Sequence, residues 1–246
     1  MNITNKTVLI TGGGSGIGFQ IAKLLSKDNK VIITGRSEDK LQKAASQLNN
    51  VSFIVCDITS ESDVSNLVKK INEDYGALDI LINNAGQASV HKLDEGVNAY
   101  NYSTAEIEAN YLSVVRLTEK LLPLLKSAKE AAIVNVTSIV AFVPGINLPT
   151  YAASKAALHS YTQALRYTLA KTTGIKVFEL MPPLVNTELS VEIGGANGIA
   201  PELVAEGLIQ GLKNNEFEIH IGKTADLYKL FLSSPQEAMN ALNQDR

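Results

Sequence analysis

Tyr151 and Lys155 stand four residues apart in Tyr151-Ala-Ala-Ser-Lys155, a spacing that puts a phenol and an ammonium on one face of a helix. An ammonium held near a tyrosine hydroxyl favours the phenolate and makes the phenol a better proton-transfer group near neutral pH. Such a pair also arises by chance on exposed helices, so its weight comes from its company. Thr11-Gly-Gly-Gly-Ser-Gly-Ile-Gly18 lies near the start of the chain, Asn83-Asn84-Ala85-Gly86 in the middle, and Ser138 closes an apolar run upstream of the tyrosine.

The elements that position these residues are legible as an alternation. Apolar, β-rich runs at 8–11, 31–34, 51–56, 80–83, 132–137, 176–180 and 218–221 read as strands. Segments with helical spacing at 18–27, 39–49, 62–75, 104–125 and 151–171 separate most of them. Continuous apolar strands are covered on both faces, the habit of parallel sheets. The expectation is therefore an α/β fold, a doubly wound, mainly parallel seven-stranded sheet with helices on both faces. With 246 residues and no composition break, the chain reads as a single domain over 1–246. The run Ile193-Gly-Gly-Ala-Asn-Gly198 is expected to be a mobile surface loop, and Leu121-Leu-Pro-Leu-Leu125 a helix end marked by its proline.

Bulk properties narrow the partners. A net charge of −3 without a dense basic run argues against nucleic acid and anionic membrane, and no apolar stretch reaches spanning length. Small molecules are the expected partners. One cysteine, Cys56, excludes an internal disulfide framework and leaves no zinc-ligand spacing with His91, His159 and His220, so a reducing cytoplasmic setting without a metal centre is expected. The three histidines and Cys56 read as packing or surface residues.

The glycine turn after the first strand opens the first helix. Backbone amides there, aided by the helix dipole, suit a phosphate, and absent side chains let a pyrophosphate approach. Gly12, Ser15, Gly16, Ile17 and Gly18 are the candidate cradle. The second strand runs into Thr34-Gly35-Arg36-Ser37, with no carboxylate where NAD-preferring folds hold the ribose hydroxyls. Arg36 suits a 2′-phosphate, so NADP(H) is expected, with NAD the less favoured cofactor. Asp57, with Ile58 beside it, follows the third strand, where the aspartate can take an adenine amino group. Asn83, Ala85 and Gly86 follow the fourth, at the sheet's carboxyl edge.

Taken together, Thr11, Gly12, Gly16 and Gly18, Asp57, Asn83-Asn84-Ala85-Gly86, Asn110, Ser138, Tyr151, Lys155, Pro182 and Thr187 make the chain resemble the short-chain dehydrogenase/reductase family over nearly its whole length. The resemblance implies Tyr151 as catalytic acid/base and Ser138 as the hydroxyl that holds the substrate oxygen. It implies that Lys155 binds the nicotinamide ribose and lowers the tyrosine's pKa, and that Asn110 joins a water-linked proton relay. Pro182, Val185 and Thr187 fall in the family's nicotinamide-binding segment, and the stretch near 188–200 in its substrate loop. A homodimer or homotetramer is implied as well. Pro183 stands where the family usually has glycine, which is expected to reshape the wall near the carboxamide. Within the family, the chain looks like bacterial members associated with teichoic acid D-alanylation genes. The function expected is hydride transfer between NADP(H) and a carbonyl or secondary alcohol. The alternative is a catalytically silent dinucleotide-binding regulator or scaffold on the same fold.

Overall fold

A computed structural model describes residues 1–94 and 96–244. The strands are β1 (Thr7–Thr11), β2 (Lys30–Gly35), β3 (Val51–Val55), β4 (Ile80–Asn83), β5 (Ala132–Val136), β6 (Lys176–Met181) and β7 (Glu218–His220). They form one parallel sheet in the order β3-β2-β1-β4-β5-β6-β7. Each expected strand is present, with ends within a residue or two.

Alternation along the strands divides the core. Val8 and Ile10 of β1 face one side, with Ile21 of α1 (Gly16–Leu25), Leu41 of α2 (Glu38–Ser46) and Leu208 of α7 (Pro201–Asn214). Leu9 faces the other, with Leu67 of α3 (Glu61–Asp74), Leu117 of α5 (Ser113–Ser127) and Leu169 of α6 (Pro149–Thr172). Helix starts carry their chemical marks. Ser37 and Ser60 accept from the amides of Lys40 and Asp63, and proline takes the first position of α6, α7 and α9 (Pro235–Asn243), where no amide partner is lost. The remaining helices are α4 (Ala99–Ile107) and α8 (Thr224–Ser233).

Three expectations need correction. The helix read over 104–125 begins at Ala99 and runs to Ser127, broken in register by a five-residue π-turn, Glu108–Leu112, where the Ser113 amide reaches back to the Glu108 carbonyl. Pro123 lies inside α5 rather than at its end, because buried Leu117, Leu121 and Leu125 hold the last turns against the sheet. Residues 193–198 fold into short 3₁₀ turns rather than an open loop: Gly195 packs on Ser190, a Cβ at Gly198 would sit 2.8 Å from the Leu184 carbonyl oxygen, and Ile199 pairs with Val185. Those glycines serve close packing.

Candidate active site

The strand order reverses between β1 and β4, and the crevice at their carboxyl ends is where ligands gather in doubly wound sheets. The two motifs that follow these strands are bonded to each other. Thr11 Oγ1 accepts from the amides of Asn84 and Ala85, both at 3.0 Å, and Asn84 Nδ2 donates to the carbonyls of Thr11 at 2.9 Å and Gly12 at 3.2 Å. Asn84 is thus the residue that braces the glycine turn, a role the sequence reading did not assign it.

The turn's shape depends on missing side chains. Gly12 and Gly16 have φ of +66° and +54°, the left-handed region that favours glycine. A Cβ on Gly18 would strike the Gly12 carbonyl and come within 2.6 Å of Asn84 Nδ2. At the start of α1, Ser15 makes no side-chain cap and the first turn has no acidic residue, so its amides are left for an anionic group. A cleft of about 500 Å³ runs from here, within the range of small-ligand sites. Gly12, Ser15, Gly16, Ile17, Arg36, Asp57, Ile58, Ala85, Gly86, Tyr151, Lys155, Pro182 and Thr187 line it. The donor set, the phosphate-sized turn and the basic rim fit a nicotinamide dinucleotide.

Other expected residues lie behind the lining. Gly18 is buried against the turn. Asn83 turns inward, its Nδ2 2.8 Å from Asn135 Oδ1, because alternation along β4 aims it away from the crevice and the half-buried Asn84 takes the position on the cleft. Val185 is packed in the core and can offer only its backbone. Pro183 also misses the cleft: its ring lies beside Gly222, leaving the wall to Pro182, whose carbonyl accepts from the Ile139 amide at 2.9 Å.

Lys155 is buried, with Nζ 2.8 Å from the Val136 carbonyl and 5.6 Å from the Tyr151 ring centre. Asn110, wholly buried in the π-turn, brackets Gln87 by accepting from its amide and donating to its carbonyl, both at 2.8 Å, and donates to Ser154 Oγ at 2.9 Å. Ser138 caps the short turn Ile139–Ala141 and sits beside the tyrosine, where its hydroxyl favours the phenolate. Burial outweighs that help and pushes the Tyr151 phenol up to about 12, with the charge of Glu106 adding to the rise. The same burial lowers the Lys155 ammonium to about 8. Burial drives both groups toward their neutral forms. Cys56 reaches the cleft, but burial raises its thiol to about 11, which leaves it a poor nucleophile.

At the far end, Arg36 shares the rim with Ser37 and Lys40, and Lys40 spans the cleft to Glu188 at 2.6 Å. Lys40 was legible as a second base one helical turn beyond Arg36, but only folding shows that it meets residues near 188.

The short chain dehydrogenase family model matches residues 6–208. The chain belongs to the short-chain dehydrogenase/reductase family, an oxidoreductase family. Among its relatives is the uncharacterised oxidoreductase DltE of Bacillus subtilis (strain 168), 40% identical over 225 residues that cover 89% of each chain. A short chain dehydrogenase from Burkholderia cenocepacia J2315, solved with NADP, superposes with a TM-score of 0.87 at 25% identity, over 98% of this chain and 99% of that one. A family member from Burkholderia phymatum, solved with NAD, gives 0.84 at 21% identity over 89% of each chain and shares the fold.

Proposed function

We propose that this chain is an NADP(H)-dependent oxidoreductase acting on a carbonyl or secondary alcohol. The observation that carries the reading is that Tyr151 and Lys155 open onto the same cleft as the glycine turn. Gly12 to Ile17 would hold the pyrophosphate, Asp57 and Ile58 the adenine, and Lys155 the nicotinamide ribose. Ala85, Gly86, Pro182 and Thr187, with the backbone of Asn83 and Val185, would bound the ring. Bound there, the cofactor supplies hydride transfer at its nicotinamide ring.

The chain's own residues handle the proton. Tyr151, protonated across the physiological range, gives its hydroxyl proton to the substrate oxygen as charge builds there, and Ser138 donates a hydrogen bond to the same oxygen. Asn110 holds the loop and a solvent-linked path by which the tyrosine is reprotonated. Arg36, Ser37 and Lys40 support NADP(H) over NAD(H), since β2 ends without an acid and two cations edge the cleft. The segment 188–200 is the substrate loop, its exposed Leu189 and Val191 suiting a modestly apolar substrate. A homodimer or homotetramer in the cytoplasm completes the proposal. Among the described residues, no helix is long and apolar enough to cross a membrane.

The test is NADPH consumption by purified protein across quinones, diketones, ketosteroids and 3-oxoacyl thioesters, with NADH in parallel. Consumption of NADPH with at least one class supports the reading. NADPH bound but never consumed would favour a silent dinucleotide-binding protein.

A further inference from the structure

Lys40 and Glu188 stand on opposite walls of the cleft, Lys40 in the first turn of α2 and Glu188 at the head of the 3₁₀ turn Glu188–Ile193. Local structure fixes both backbones. Ser37 caps α2 by accepting from the Lys40 amide, and the Thr187 amide donates to Ser190 Oγ at 3.2 Å, closing the turn around Glu188. Thr187 in turn packs on the glycine turn, where a Cβ on Gly16 would sit 3.1 Å from its methyl group. The two side chains then meet across the opening, Lys40 Nζ 2.6 Å from Glu188 Oε2. Among the described residues this is the one ion pair whose two members both line the cleft.

The pair is exposed, 55% at the lysine side chain and 69% at the glutamate, so it adds little to the stability of the fold. Its consequence lies at the rim. Arg36 makes no ion pair among the described residues, so of the two cations there one is open to a ligand and the other is already held by a carboxylate. A phosphate on the ribose 2′ position carries a charge of about −1.5 to −2 near pH 7 and attracts an ammonium more strongly than one carboxylate does. A ribose with two hydroxyls offers no such charge. The lysine, a compact ammonium on a flexible stem, can turn to either anion.

We propose that Glu188 is a specificity-determining residue for the cofactor, acting through Lys40. It competes with the 2′-phosphate of NADP(H) for the ammonium, while NAD(H), which lacks that phosphate, leaves the pair closed. The pair thereby narrows the margin by which the rim favours the phosphorylated dinucleotide. This rests on the cleft being the dinucleotide site of the proposed oxidoreductase.

The test is a double-mutant cycle on cofactor binding, with no substrate present. Dissociation constants for NADPH and NADH are measured from the fluorescence of the reduced nicotinamide in wild type, Glu188→Gln, Lys40→Met and the double variant, with circular dichroism to confirm each fold. The quantity read is the ratio of the NADH Kd to the NADPH Kd, in which any effect of the Glu188 charge on the shared pyrophosphate cancels. Glu188→Gln is expected to raise that ratio about threefold. Lys40→Met is expected to lower it about fivefold. Adding Glu188→Gln to Lys40→Met is expected to leave it within about 1.5-fold. An unchanged ratio in Glu188→Gln overturns the inference. An equal rise in both backgrounds also overturns it, since the carboxylate would then repel the phosphate without Lys40. A wild type that favours NADH, while Glu188→Gln still raises the ratio only where Lys40 is present, contradicts the cofactor preference proposed above and supports the inference. Binding of neither cofactor overturns both.

Discussion

Lys155 carries opposite demands at the scale of one residue. Its ammonium is buried and lowered to about 8, so folding opposes its charge. For a group lowered on folding, the stability contribution is full above the unfolded value of 10.5 and is lost as pH falls through about 8. Lys155→Met is therefore expected to melt about 2–4 °C above the wild type at pH 7, a margin that shrinks as pH rises from about 8 toward 10.5. The same variant is expected to bind NADPH more weakly. Melting curves with equal margins at both ends of that range would contradict the burial argument. Gly18 makes a second case: Gly18→Ala puts a methyl into the Gly12 carbonyl and is expected to cost about 1–3 kcal/mol, read as a lower urea midpoint. An unchanged midpoint would show that the turn can relax.

Pairs of elements carry a buried network that the sequence hides. Glu179 on β6 is wholly buried, accepting from Thr137 Oγ1 at 2.7 Å and His159 Nδ1 at 2.8 Å, with Arg166 at 3.9 Å. The hydrogen bond to Glu179 raises the pKa of His159 above 6.5, against some desolvation. Stability from a raised histidine is full below 6.5 and is lost as pH rises through the folded value. The wild-type urea midpoint is expected to fall over that window, while His159→Gln, which keeps a donor without a titrating charge, is expected to lack the step. Parallel curves would refute it. The sequence reading took His159 for a packing or surface residue because its partner lies 20 positions away on another element. The π-turn was hidden as well: asparagine is mildly unfavourable inside a helix, and only the contacts with Gln87 explain its place at 110. Pro123 misled because local chemistry argued for an end and three buried leucines outvoted it.

For the whole molecule, strand order and layers were legible because continuous apolar strands and intervening helices leave few topologies. The cleft lining was legible where glycines and polar residues follow strand ends, as at Gly12, Gly16 and Asp57. It was illegible where alternation decides direction, so that the Asn83 side chain turns to Asn135 while Asn84 braces the glycine turn, and where burial decides charge, as at Tyr151. With one continuous sheet joining both core layers, the chain is expected to unfold in a single transition. NADPH at about 100 times its Kd is expected to stabilise it by about 2.7 kcal/mol. Two separate transitions would break the one-domain reading.

The central claim is that one cleft holds both the dinucleotide and the proton donor. Its most direct measurement is NADPH affinity and turnover side by side in wild type and Tyr151→Phe, on a substrate the wild type consumes. Affinity is expected within about threefold of wild type, with turnover down by about 10²- to 10⁴-fold. Near-normal turnover in the variant, or loss of NADPH binding with no loss of fold, would contradict it.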